Sequence, residues 1–154
     1  MENWASCVET LQAPEPFFFS TVTPLDWKVP MVAVRDIGAV LAREIVSGMK
    51  TSSAEPYIYE LHGPQEYDPS DVRDALSKII NRPVAVKPVE RHQLLEFFQK
   101  VFPPNVASEF QEMTVGFLPG GKMIVEPDPV TREVIRGETQ LEDALRDLVK
   151  GATR

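Results

Sequence analysis

The chain has 154 residues, 43% hydrophobic and 25% charged, which is the make-up of one globular domain with room for a core over 1–154. A formal net charge of −7 argues against a phosphate backbone as partner, because nucleic-acid binding starts from clustered Lys and Arg. A single cysteine, Cys7, excludes an internal disulfide framework and suits a reducing compartment.

The chain opens with a helix carrying Trp4, Cys7, Val8 and Leu11 as a stripe, Asn3 as its cap, and Pro14 and Pro16 as its end. Its first residues, MENWASCVETLQ, lack the basic region and apolar core of a signal peptide. No apolar run approaches the ~20 residues of a membrane span, so cytoplasm, or else nucleus, is expected. Phe17-Phe18-Phe19 follows, a strand whose rings point both ways and which predicts cover on both faces. A second helix keeps Val34, Ile37, Gly38, Leu41, Ala42 and Ile45 in register, with Gly38 tolerated for close approach of a neighbour. Gly48 and Thr51-Ser52-Ser53 then make a surface loop.

Residues 57–89 read as the organising unit. Tyr57, Tyr59 and Leu61 alternate with Ile58, Glu60 and His62, and His62-Gly63-Pro64 breaks the run. Asp68, Pro69 and Asp71 open a helix whose apolar face is Val72, Ala75, Leu76, Ile79 and Ile80. Asn81 and Pro83 close it, and Val84, Val86 and Val89 give a second strand. This predicts a parallel βαβ unit with a right-handed crossover. Next come a helix with Leu94, Leu95, Phe98, Val101 and Phe102, the stop Pro103-Pro104, and a helix with Val106, Phe110, Met113 and Phe117. Residues 123–129 are irregular, with room for one short strand. A capping box of Thr139 with Glu142 then starts a helix carrying Leu141, Ala144, Leu145, Leu148 and Val149, which Gly151 ends.

Chemistry is harder to find. Gly116-Phe117-Leu118-Pro119-Gly120-Gly121-Lys122 has the first seven positions of a phosphate-binding loop, but Met123 replaces the magnesium-holding Ser or Thr. It also follows a helix and precedes Ile124-Val125, so a helix-ending turn is expected. His62 near Glu60, Glu66 and Asp68 suggests either an oriented acid–base pair or a turn histidine. His92, beside Glu90 and Arg91, reads as a solvated charge, and neither histidine has zinc-site spacing. Cys7 reads as packing. Asp36, Asp68, Asp71 and Glu142 read as helix-start carboxylates. Trp27, between Asp26 and Lys28, is a pocket wall or lid on one reading and a rim aromatic on the other.

MENW, TPLDWKVPMVAVRDIGAVLAREI, YELHGPQEYDPSDVRDALSKIINRPVAVKPV and IRGETQLEDAL together resemble the C-terminal half of NmrA-like proteins. These are atypical short-chain dehydrogenase/reductases, common in fungi. The resemblance implies an α/β fold: the substrate-side portion, a small parallel βαβ sheet with about six helices. In the family a Rossmann half binds NADP(H) or NAD(H). Here there is no glycine-rich fingerprint and no Tyr followed four residues later by Lys, so coenzyme binding by this chain alone is not expected. Carried over residue by residue, Met1, Glu2 and Asn3 are the cofactor-side contacts. Trp4, Trp27 and His62 are the substrate-pocket candidates, and no catalytic residue is assigned. The face around Trp4 and Phe17-Phe18-Phe19, left without that half, predicts a homo-oligomer or partner chain, with a small-molecule ligand.

Three functions follow as expectations. The first is a binding or redox-sensing regulatory protein. The second is an NAD(P)H-dependent oxidoreductase of a small carbonyl, enone or quinone, with the Rossmann half supplied. The third is a cofactor-free isomerase or cyclase using Glu2, His62 and Trp27.

Overall fold

A computed structural model describes residues 1–48, 59–123 and 133–152, with the side chains of Glu2, Glu133 and Ala152 left aside. Tyr57, Ile58, Thr51-Ser52-Ser53 and the stretch 124–129 lie outside the described residues. The protein is α/β, with small parallel sheets and six α-helices among the described residues. A 3₁₀ helix, Glu2–Cys7, runs into the short α1, Val8–Leu11. Strands β1, Phe17–Ser20, and β2, Val29–Pro30, precede α2, Val34–Val46. Then come β3, Tyr59–His62, β4, Glu66–Tyr67, α3, Pro69–Ile80, and β5, Ala85–Pro88. A 3₁₀ turn, Arg91–Gln93, leads to α4, Leu94–Gln99, and α5, Pro104–Phe117. β6, Glu133–Arg136, and α6, Leu141–Ala152, complete the order.

The elements of the central unit form where their residues place them, but their partners differ. Asp68 caps α3 by accepting from Asp71 N–H at 2.9 Å, while the Asp71 carboxylate accepts from Asp68 N–H at 3.0 Å. Asn81 ends α3 in the left-handed region at φ 52°. The strands either side of α3 do not pair with each other. β5 runs parallel to β1, with Phe18 opposite Val86, and β3 runs parallel to β6, with Leu61 opposite Ile135. β2 and β4 form an antiparallel pair. The expected βαβ unit is therefore corrected: parallel pairing is present, between strands far apart in sequence. Local periodicity marks a strand but carries no information about its neighbour.

The main core joins α3 and α6 to the N-terminal segment. Val72 and Leu76 meet Leu141, Ala144 and Leu145, with Cys7, Leu11 and Phe18 alongside. Tyr67 fastens the start of α6, its phenol oxygen accepting from Leu141 N–H at 3.3 Å and donating to Gln140 Oε1 at 3.2 Å. The expected Thr139 and Glu142 box is not formed. Thr139 Oγ1 donates to Asp36 Oδ1 at 2.7 Å and accepts from Arg35 Nε at 2.6 Å, so Asp36 ties α2 to the approach to α6. Glu142 instead takes Lys78 Nζ at 2.6 Å, with Arg146 beside it; these bonds hold its carboxyl below its usual range. Gly151 lies inside α6 rather than ending it.

Several apolar stripes do not face the core. Phe18 is fully buried while Phe19 is 47% exposed, so β1 is covered on one face, not two. The N-terminal helix has no Asn3 cap and stops at Leu11, before the prolines. Among the described residues no atom lies within 4 Å of where a Cβ on Gly38 would stand, so the expected close approach is not seen there. On α2 only Val40 is buried, and Val34, Leu41 and Ile45 are exposed. α4 ends at Gln99 and leaves Val101 in solvent, while α5 buries Ala107 and Thr114 rather than Met113 and Phe117. The Gly116 to Lys122 motif is the helix-ending turn expected: Gly121 N–H donates to Leu118 O at 2.8 Å, and Gly120 has φ +76°.

One glycine is fixed by space. A Cβ on Gly63 would lie 1.9 Å from Met31 O, which is backbone and cannot swing aside. Gly63→Ala is expected to destabilise the fold by about 2–4 kcal/mol, read from the denaturant midpoint.

Candidate functional site

The exposed stripes converge on a groove. A cavity of about 580 Å³ lies between the N-terminal 3₁₀ helix, the outer side of β1, the β2 segment, the start of α2, and α4 and α5. In a 3₁₀ helix residues three apart eclipse, which stacks Trp4 above Cys7 and Asn3 above Ser6 along the groove. Ser20 ends β1 by a local turn, its hydroxyl donating to Val22 O at 2.9 Å and accepting from Val22 N–H at 3.2 Å. That turn delivers Thr21 and Val22 to the wall. Phe97 and Phe98 on α4, and Met113 and Phe117 on α5, supply the opposite side. Val34 and Ile37 on α2 supply the third.

Aromatic contacts set the shape. Trp4 meets the buried Phe18 edge to face at 5.2 Å, so the indole is anchored from behind and presents its other side to the groove. Phe19 meets Phe97 at 5.4 Å, and Phe97 meets Phe98 at 5.6 Å. Behind them Phe102 and Phe110 stack at 4.5 Å, bracing α4 on α5.

Among the described residues the groove lining has no Asp, Glu, Lys, Arg or His. The Met1 α-amino group donates to Val32 O at 2.7 Å, joining two residues of the lining. Thr10 Oγ1 is committed to the Cys7 and Phe17 carbonyls, and Thr114 Oγ1 donates to Phe110 O at 2.7 Å. Asn3, Ser6 and Thr21 form no side-chain hydrogen bond in the structure, which leaves neutral donors and acceptors along the groove. Among the described residues Cys7 is the one titratable side chain in the wall, and burial pushes its thiol from 9.0 up to about 11. It is held as a neutral thiol, a poor nucleophile.

The expected site residues are divided by this geometry. Met1, Asn3 and Trp4 come together in the groove. The Glu2 side chain lies outside the described residues. Trp27 does not line the cavity. Its Nε1 donates to Phe117 O at 2.9 Å, satisfying a carbonyl at the C-terminus of α5 and fastening that wall. His62 also stands apart, at the end of β3, with Nε2 3.1 Å from Glu60 Oε2. His92 is exposed on its 3₁₀ turn. Among the described residues no three His, Cys, Asp or Glu groups gather as metal ligands, and no helix is long and apolar enough to cross a membrane. Sequence reasoning missed Phe97, Met113, Phe117, Val34 and Ile37 as wall residues. The available signal was an excess of apolar helix stripes over the strands able to cover them.

No family model, curated protein or solved structure matches the chain.

Because the folded thiol holds its proton longer than the unfolded one, Cys7 contributes stability that is fully present below pH 9 and lost as pH rises through about 11. The difference in unfolding free energy between wild type and Cys7→Ala is therefore expected to shrink over that window. Chemical denaturation at stepped pH reads it, and a difference independent of pH would contradict the burial account.

Proposed function

We propose that this chain works by binding a small, uncharged, largely apolar molecule in the groove, without carrying out chemistry on it unaided. The observation that carries the reading is the composition of the wall: aromatic and thioether surface with neutral Asn3, Ser6 and Thr21, and no ionised side chain among the described residues. A charged ligand entering such a site would lose hydration and meet no ionised side chain among the described lining residues, which costs several kcal/mol. A neutral ring with one carbonyl or hydroxyl loses little and gains contact with Trp4, Phe97 and Phe98. Of the residues named for cofactor-free chemistry, His62 and Trp27 lie outside the groove lining.

The family reading remains the NmrA-like one: a substrate-side portion acting as a binding or redox-sensing protein, related to NAD(P)-dependent reductases. It rests on the four sequence stretches and on Met1, Asn3 and Trp4 sharing the groove. A dinucleotide is not proposed as the ligand of this groove alone, because no Lys or Arg lines it to receive a pyrophosphate. A second reading, reduction of a small carbonyl, enone or quinone with NAD(P)H held by further protein, is favoured by the unpaired Asn3 amide beside aromatic rings. Both readings keep a partner chain or second copy near Trp4 and Phe19 as a proposal.

Fluorescence of the two tryptophans, Trp4 and Trp27, follows binding directly. A neutral aromatic ketone is expected to bind at least tenfold tighter than the matching carboxylate, and Met113→Lys to weaken the ketone by about tenfold or more. Equal affinity for ketone and carboxylate would overturn the reading. NADPH binding to the chain alone with Kd below about 100 μM would do the same for the exclusion of a dinucleotide.

A further inference from the structure

The exposed stripe on α2 has an internal symmetry. Val34, Ile37, Gly38, Leu41, Ala42 and Ile45 occupy one side of the helix, and their spacing is the same read from either end. All six are exposed, the large ones by 37% to 70%. No charged residue belongs to the stripe, so pairing it would strip no ion of water. Large and small residues alternate in a way that suits a reversed copy. Laid antiparallel on itself, the helix sets Leu41 opposite Gly38, Ile37 opposite Ala42, and Val34 opposite Ile45. Each bulky side chain then meets a small one at the two central layers, and no atom of the described residues lies within 4 Å of the place a Cβ on Gly38 would take.

From this self-complementarity we infer that α2 is the contact of a two-fold homodimer. A surface that fits its own reversed copy is what an isologous interface requires, since the same patch serves both partners. The size is adequate. Val34, Ile37, Leu41, Ile45 and the 87% exposed Val46 leave on the order of 500 Å² of apolar surface in water. The groove rim, which shares Val34 and Ile37 with the stripe, extends the patch towards the ~800 Å² each partner brings to a standard interface. The shared residues also give the dimer a consequence for the site. Ala42 and Ile45 of the second copy come against the side of the groove that Val34 and Ile37 form, and narrow its open edge.

Sedimentation equilibrium of the full chain tests this, with Leu41→Asp and Gly38→Leu as variants. Wild type is expected to dimerise with Kd below about 100 μM. Leu41→Asp places a charge at the dyad and is expected to weaken the dimer at least 100-fold. Gly38→Leu has free space in the single chain, so it keeps its helical circular dichroism, yet it fills the hole for Leu41 and is expected to weaken the dimer at least tenfold. A wild-type chain monomeric at several hundred μM overturns the proposal, as does a dimer that survives both substitutions. Attachment of a monomeric chain to neutral phosphatidylcholine vesicles would assign the stripe to a lipid surface and equally overturn it.

Discussion

Phe18 and Phe19 are adjacent in sequence and face opposite ways, and that alternation divides the molecule's apolar surface between two uses. Phe18 is sealed among α1, α3 and α6 side chains, with Trp4 against its edge. Phe19 opens the groove and starts the run of rings through Phe97 and Phe98. Among the described residues the Phe19 side of β1 is not sealed by another layer and borders the cavity instead. Trp4 belongs to both regions, which couples the stability of the core to the shape of the groove.

The wall chemistry follows from the same division. Ionised residues are plentiful in this acidic chain, and several of them act as fasteners outside the groove lining. Asp36 and Arg35 bind Thr139, Asp68 and Asp71 cap α3, and Glu142 bridges Lys78 and Arg146. The described side chains lining the cavity are uncharged, and the candidate nucleophile among them is a thiol that burial keeps protonated. A site of this kind discriminates by desolvation: it admits molecules that give up little hydration and rejects ions.

Element identity was largely legible in the sequence, and partnership was not. Asp68, Pro69 and Asn81 act within a few residues of themselves, so α3 could be read with its ends. The pairing of β1 with β5 depends on chain more than sixty residues away, roughly, and periodicity is silent about that distance. The same limit explains the site. Phe97, Met113 and Ile37 have helical spacing whether a helix faces a core or a groove, and only the count of covering strands could have told the two apart. Trp27, read either as a pocket wall or as a rim aromatic from its place between charges, gives its indole N–H to Phe117 O at the end of α5. His62 suffered a similar fate, held in its own strand by Glu60.

The claim that the groove is a binding site for neutral ligands meets its most direct test at the methionines. Met1, Met31 and Met113 line the cavity, whereas Met123 does not. With ¹³C-methyl methionine labelling, adding a neutral aromatic ketone should shift the first three methyl resonances together, saturably, and leave Met123 in place. Its carboxylate analogue should leave all four unmoved at the same concentration. Shifts confined to Met123, or equal shifts from ketone and carboxylate, would contradict the account.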